Sequence, residues 1–214
     1  MHYCQRSENM RKIIVSEFVT LDGVMEAPDK WSFPYWNEEI GKVKFDELFA
    51  SDALLLGRVT YQIFAGAWPS LTDEEDWKRV KEAGGQAGEI PKENPFADRM
   101  NSIPKFVAST TLDKLEWNNS NLIKGNVDEE VFRLKQKPGQ DILIAGSSEL
   151  VNTLMQHNLI DEYRLLVYPL ILGSGKRLFG DGMKLPLKLL EAKTFDSGVV
   201  LLRYQPEKKG GSND

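Results

Sequence analysis

Cysteine is nearly missing from this sequence: Cys4 is the one thiol in 214 residues. No internal disulfide can form, which suits a reducing compartment. Histidine is almost as scarce. His2 lies in a polar leader and His157 near a predicted helix end, so a His-rich metal site and a Ser-His-Asp triad are both poorly supplied. No metal is expected, and His157 reads as a half-exposed surface side chain. No apolar stretch approaches the roughly 20 residues of a membrane span. The segment from Met1 to Arg11 lacks the apolar centre of a signal peptide, so the cytoplasm is the expected compartment. A basic excess is lacking too. With a formal net charge of −5, neither nucleic acid nor an anionic membrane is an expected partner.

What remains is ample for a core. A hydrophobic fraction of 41% over 214 residues predicts one soluble globular domain that needs no disulfide or metal to hold it. Residues 1–10 read as a disordered leader, 11–206 as the domain, and 207–214 as a disordered tail. Ile13 to Val19 is a β-branched strand that runs into an Asp22-Gly23 turn. A loop rich in aromatic residues follows, with Trp31, Phe33, Tyr35 and Trp36, suited either to capping the core or to walling a flat ligand. Glu38 to Ala50 reads as a helix, Ala53 to Leu56 as a buried strand, and Tyr61, Ile63 and Phe64 as part of a second helix. Residues 72–101 are the least regular stretch; glycines and prolines interrupt a possible exposed helix over Asp73 to Ala83, which predicts an excursion rather than a second domain.

Phe106 to Ala108, Leu122-Ile123 and Ile142 to Ala145 continue the strands. Helices follow over Val127 to Leu134 and from Leu150 toward His157. Glu162 to Tyr168 is another strand, and Asp196-Ser197-Gly198 joins Leu187–Phe195 to Val199–Tyr204 as a hairpin. Strands alternating with helices and closing on a hairpin predict an α/β fold with a mostly parallel sheet, an antiparallel C-terminal hairpin and helices on both faces.

Chemistry concentrates where strands end. Gly146-Ser147-Ser148 turns a strand into a helix, which offers free N–H groups to a phosphate or simply a serine cap. Gly57-Arg58 makes a second such turn, and Arg58 is a planar cation suited to phosphate or to a neighbouring carboxylate. Ser109 and Thr110 end a third strand. Ligands of open α/β sheets bind outside the carboxyl ends of strands, so three such ends together favour the phosphate reading. Gly175-Lys176 is not a P-loop, because Leu170 stands where its first glycine belongs and Arg177 replaces Ser/Thr.

Four segments in order, Thr20-Leu21-Asp22-Gly23, Leu55 to Tyr61, Ile144 to Ser148, and Asp161-Glu162-Tyr163 with Pro169-x-x-x-Gly173-x-Gly175, resemble the dihydrofolate reductase-like superfamily. The similarity is to its branch related to the reductase domain of bifunctional riboflavin-biosynthesis enzymes, and it runs from about Arg11 to Tyr204. It implies a three-layer fold that binds NADPH. Val19, Thr20, Leu21 and Gly23 would lie along the nicotinamide; Gly57, Arg58 and Thr60 would hold phosphates; Ser109 and Thr110 would meet the 2′-phosphate. Gly146, Ser147, Ser148, Leu150 and Val151 would cradle the pyrophosphate. A homodimer is the family expectation, with Val199 and Leu201 as exposed apolar edge residues.

Two departures stand out. The first-helix carboxylate that binds pterin in dihydrofolate reductases falls on Gly41, although Phe45 keeps its spacing from Gly57. The acidic residue two before the Gly146 glycine in riboflavin-pathway reductases falls on Ile144. The expected function is an NADPH-dependent oxidoreductase that transfers a hydride to a small heterocyclic or imine-bearing substrate; the alternative is a module that binds NADPH without turning it over. Asp22 is the candidate catalytic residue, as an acid or an orienting group, with a plain turn aspartate as its other reading. Trp36, Phe45 and Tyr168 are candidate substrate-pocket walls, each equally able to serve the core.

Overall fold

The computed structural model of the chain describes residues 10–70, 78, 81–85 and 95–207. The expected leader, the tail and most of the 72–101 excursion fall outside the described residues. Eight strands form one sheet in the order β4-β3-β2-β5-β1-β6-β8-β7. In chain order the elements are β1 (Ile13–Thr20), α1 (Glu38–Phe49), β2 (Ser51–Gly57), α2 (Arg58–Ala67), α3 (Pro95–Ser102), β3 (Lys105–Ala108), β4 (Ser120–Ile123), α4 (Val127–Gln136), β5 (Asp141–Ile144), α5 (Ser148–Gln156), β6 (Glu162–Tyr168), β7 (Leu187–Thr194) and β8 (Val200–Pro206). The pairs from β4 across to β6 are parallel; β6–β8 and β7–β8 are antiparallel.

Alternation along the strands builds a core on each face. Ile13 and Val15 of β1, Ala53 and Leu55 of β2, and Ile142 and Ile144 of β5 pack with Val131 and Leu134 of α4 and Leu150, Val151 and Leu154 of α5. The opposite residues, Ile14, Leu54, Leu56 and Leu143, pack with Leu48 of α1, Tyr61 of α2 and Met100 of α3. This is the expected three-layer arrangement. Asn37 starts α1, its side chain accepting from the Ile40 N–H at 2.9 Å, one of the preferred N-cap residues.

Two expectations need correction. Val199 and Leu201 are not exposed edge residues: they are 0% and 5% exposed and pack with Phe195, Tyr168, Leu166 and Ile40. The hairpin enters the sheet with β8 inside and β7 at the rim, so it is Leu189 and Leu190 of β7 that lie open. The irregular stretch also ends in a helix, α3, which begins on Pro95. Proline is well placed in the first turn of a helix, where its missing N–H costs nothing, and Ala97 and Met100 turn inward from it. Among the described residues no helix is long and apolar enough to cross a membrane.

Candidate functional site

The chain reverses its direction of travel across the sheet between β1 and β5. From β1 it crosses β5 to reach β2, and from β5 it crosses β1 to reach β6. Such a reversal opens a crevice at the carboxyl ends of the strands, the usual ligand seat of an open α/β sheet. β5 pairs with β1 only as far as Val15↔Ile144, whereas β1 continues along β6 to Thr20↔Tyr168. Residues 16–20 of β1 therefore line the opening.

The three strand ends singled out in the sequence meet beside it. Gly57 pairs with Ala108 in the sheet, which sets Gly57-Arg58 next to Ser109-Thr110. The Gly57 N–H donates to the Gly146 carbonyl at 3.2 Å. These turns touch as only glycines allow. A Cβ on Gly57 would collide with the Ser147 side chain, and one on Gly146, whose φ is +94°, would lie 2.5 Å from Thr60 Oγ1. Ser147 occupies the N-cap position of α5 and Gly57 that of α2, yet neither helix start has a side-chain cap. The serine-cap reading of the Gly146 turn therefore does not hold, and two helix N-termini lie side by side with N–H groups of their first turns uncapped by side chains.

The surrounding residues divide into open and internal groups. Arg58 is exposed and donates to Gln62 Oε1 at 3.2 Å; this neutral partner leaves its charge available. Thr110 is exposed. Ser109 is spent on its own turn, its hydroxyl accepting from the N–H groups of Thr111 at 3.2 Å and Leu112 at 3.0 Å. Ser148, Leu150 and Val151 are buried, and the last two belong to the core under the turn. Glu149, in the first turn of α5, is drawn to Lys176 Nζ at 2.7 Å, and that contact holds its carboxyl below the usual range.

On the other side of the crevice, Val19 is core and Thr20 is buried, while Leu21 is exposed. The Thr20 hydroxyl donates to Asp22 Oδ1 at 2.5 Å and accepts from the Val24 N–H at 3.0 Å. Asp22 also accepts from the N–H groups of Gly173, at 2.8 Å, and Leu172, at 3.3 Å. The Thr20 hydroxyl and the Gly173 N–H hold its carboxyl below the usual carboxylate range. Asp22 is thus built to clamp the 20–24 turn, where Gly23 has φ +82°, onto the 170–173 loop; the acid role does not fit an ionised carboxylate.

The three aromatic candidates are not brought into one wall. Tyr168 is wholly buried under Phe18, Trp31 and Tyr35, with ring centroids 5.4, 5.2 and 5.8 Å away. Trp36 packs edge-on to Phe18 at 6.3 Å and lies over Gly41 of α1. Phe45 stacks instead on Phe49 at 4.1 Å. His157 is at the surface, its Nδ1 3.2 Å from Asp128.

One polar residue of the crevice, Glu17, lies inside the apolar strand β1 and is not among the candidates the sequence offers. Glu17 of β1 is 7% exposed; its Oε1 is wholly buried with no hydrogen-bond partner, and its carboxyl faces the Gly146 backbone N–H. Burial pushes its pKa up to about 8, against the pull of Lys44 and that N–H. The signal available in Ile13-Ile14-Val15-Ser16-Glu17-Phe18-Val19 was a lone carboxylate inside a run with buried-strand character, a placement that needs an explanation.

A protein-family model, the RibD C-terminal domain, matches residues 11–201. The uncharacterized protein YyaP of Bacillus subtilis (strain 168) is 32% identical over 200 residues, covering 91% of this chain and 94% of that protein. Among solved structures, a putative riboflavin biosynthesis protein from Shewanella sp. PV-4 superimposes with a TM-score of 0.66 at 21% identity, covering 92% of this chain and 99% of that one. A dihydrofolate reductase from Enterococcus faecalis complexed with NADP(H) superimposes with a TM-score of 0.54 at 12% identity, covering 92% and 97%. The fold is dihydrofolate reductase-like, and the chain belongs to the RibD C-terminal domain family.

Proposed function

We propose that the protein is an NADPH-dependent reductase that transfers a hydride to a small heterocyclic or imine-bearing substrate. The observation that carries this reading is the contact between the Gly57 and Gly146 turns, which brings two helix N-termini without side-chain caps together beside the β1–β5 crevice. Dipoles and free N–H groups at such ends attract phosphate, and a second glycine lets the ligand approach the backbone. The two turns would hold the pyrophosphate, Arg58 and Thr110 the 2′-phosphate, and residues 19–23 the nicotinamide side. NADPH would supply the hydride. The chain's own part is to fix the crevice: Asp22 pins the β1–β6 side through the Thr20 hydroxyl and the Gly173 N–H, and the Trp36–Phe18–Tyr168 cluster packs on those same two strands. The kinship with a dihydrofolate reductase seen with NADP(H) supports the cofactor.

A second reading, a module that holds NADPH without turnover, draws on Gly41. A Cβ there would lie 3.6 Å from the ring of Trp36, which precedes α1, so the space beside Gly41 is filled by an indole and α1 offers no carboxylate at that position. One experiment separates the two. NADPH is titrated by its fluorescence, and pterins, pyrimidines and quinones are then added as acceptors. Oxidation of NADPH by any acceptor supports the reductase. Binding without oxidation across the panel supports the module, and no binding at micromolar NADPH overturns both.

A further inference from the structure

The unexplained group in the crevice is Glu17. It stands at the point where β1 loses its β5 partner: Val15 pairs with Ile144, and two residues later Glu17 faces the Gly146 turn instead of a strand. By the pleat it shares the face of Val15 and Val19, toward α5. A carboxylate so buried needs a cation of its own, and the nearby cation is already committed. Lys44 of α1 is 2.8 Å from Glu47 Oε2 and 2.5 Å from Ser16 Oγ. Glu47 in turn faces Arg164 of β6 at 3.9 Å, Arg164 bonds Glu162 at 2.7 Å, and Arg203 of β8 joins Glu162 to Glu191 of β7 at 2.8 Å each. Three cations and three carboxylates balance in this chain, and Glu17 is outside it. The charged groups acting on it are Lys44, which favours its ionised form, and Glu47, which opposes it.

We propose that Glu17 is a catalytic residue of the site: a carboxylic acid kept protonated beside the Gly146 turn, which gives its proton to the substrate and whose ionisation is coupled to the charge of the bound nicotinamide. This rests on the reductase reading above. The hydride brings two electrons to the substrate; the Glu17 O–H bond breaks, its proton bonds the substrate heteroatom, and the carboxylate left behind is reprotonated from water. The balance of charge explains the placement. Oxidised nicotinamide is a cation and reduced nicotinamide is neutral, so the oxidised form stabilises the Glu17 carboxylate and the reduced form the acid. A carboxyl that ionises near pH 8 in the free protein is protonated when a turnover begins, and a new positive charge beside it favours loss of that proton.

Linkage makes this measurable without a known substrate. The dissociation constants of NADPH and NADP+ are measured for the wild type and for Glu17→Gln between about pH 6.5 and pH 9. In the wild type the ratio of the NADP+ to the NADPH constant falls on the order of tenfold as pH rises, the usual size of such couplings. In Glu17→Gln the ratio is flat while NADPH still binds, since glutamine mimics the neutral acid. Both nucleotides carry the same phosphates, so the ratio isolates the ring charge. Infrared difference spectra of the wild type at about pH 8 give a second readout: the carbonyl stretch of a protonated carboxyl is present with NADPH and weaker with NADP+. A pH-dependent ratio that survives in Glu17→Gln, or a ratio that is flat in the wild type, overturns the Glu17 proposal and leaves the reductase reading standing. Failure of the wild type to bind either nucleotide overturns the reductase reading itself and the proposal with it.

Discussion

Arg58 carries the sharpest contrast between two similar ligands. Its guanidinium is exposed and, among the described residues, donates to the Gln62 amide, with Glu149 near enough to feel its charge, so a phosphate can take it without breaking a hydrogen-bonded ion pair. If it meets the 2′-phosphate, Arg58→Ala weakens NADPH by roughly 10- to 100-fold, the size of a lost charge-assisted contact, and leaves NADH nearly unchanged. Fluorescence titration with both nucleotides checks this; equal losses would assign Arg58 another task. Asp22 shows the opposite case, in which local partners limit what a residue can do. With the Thr20 hydroxyl and two backbone N–H groups around it, its carboxyl is an acceptor and a clamp. The sequence placed Asp22 in a turn, and turn chemistry is what the structure displays. For Glu17 the sequence shows a lone carboxylate inside a buried-strand run, a local oddity, but not that β1 loses its β5 partner there and leaves the carboxyl beside the Gly146 turn.

At the scale of elements, the β2–α2 and β5–α5 connections act as one unit. Each was readable alone as a strand running into a helix through glycine, since apolar runs and helical spacing are local signals. Their contact was not readable, because it depends on β5 inserting between β2 and β1. Gly146→Ala tests the unit. The added methyl meets Thr60 Oγ1, and the φ of +94° is unfavourable to any side chain. We expect a stability loss of about 1–3 kcal/mol, measured by denaturant unfolding, and a loss of NADPH binding of more than about tenfold from displacement of the turn. A variant with wild-type affinity would detach this turn from the cofactor. α3 is hard to read locally for a related reason: Pro95 sits among glycines and prolines that signal a loop, whereas at the first position of Pro95–Ser102 it suits a helix start.

For the whole molecule, two buried carboxyls, Glu17 of β1 and Glu162 of β6, make stability depend on pH in opposite senses. Burial raises the Glu162 pKa, but its bonds to Arg164 and Arg203 outweigh this and leave it depressed. A depressed folded pKa gives stability that is present above the unfolded value and lost as pH falls through the folded one. Glu17 has the reverse sign. Its folded carboxyl ionises near pH 8 against an ordinary 4.5, so its contribution is full below the ordinary value and is lost as pH rises through the folded one. Thermal melts of Glu17→Gln against wild type should therefore show a gain for the variant that grows from about pH 5 to about pH 8, to roughly 4 kcal/mol. A constant offset across that range would mean that Glu17 is ionised throughout. Glu162→Gln should show its deficit at neutral pH and converge with wild type in acid.

Eight strands, the helices other than α3, the antiparallel close of the sheet and the three glycine- or hydroxyl-bearing strand ends are legible in the sequence, because each rests on local periodicity, turn chemistry or residue type. Which of those features share a place is a matter of strand neighbours across the sheet. Strand order set the Gly57 and Gly146 turns against each other, buried Val199 and Leu201 by putting β8 inside β7, scattered Phe45 from Trp36 and Tyr168, and left Glu17 at the open end of the β1–β5 pairing. The physical reason is the same in each case: burial and contact across a sheet depend on which strands are neighbours, and that choice is made by packing the whole core at once.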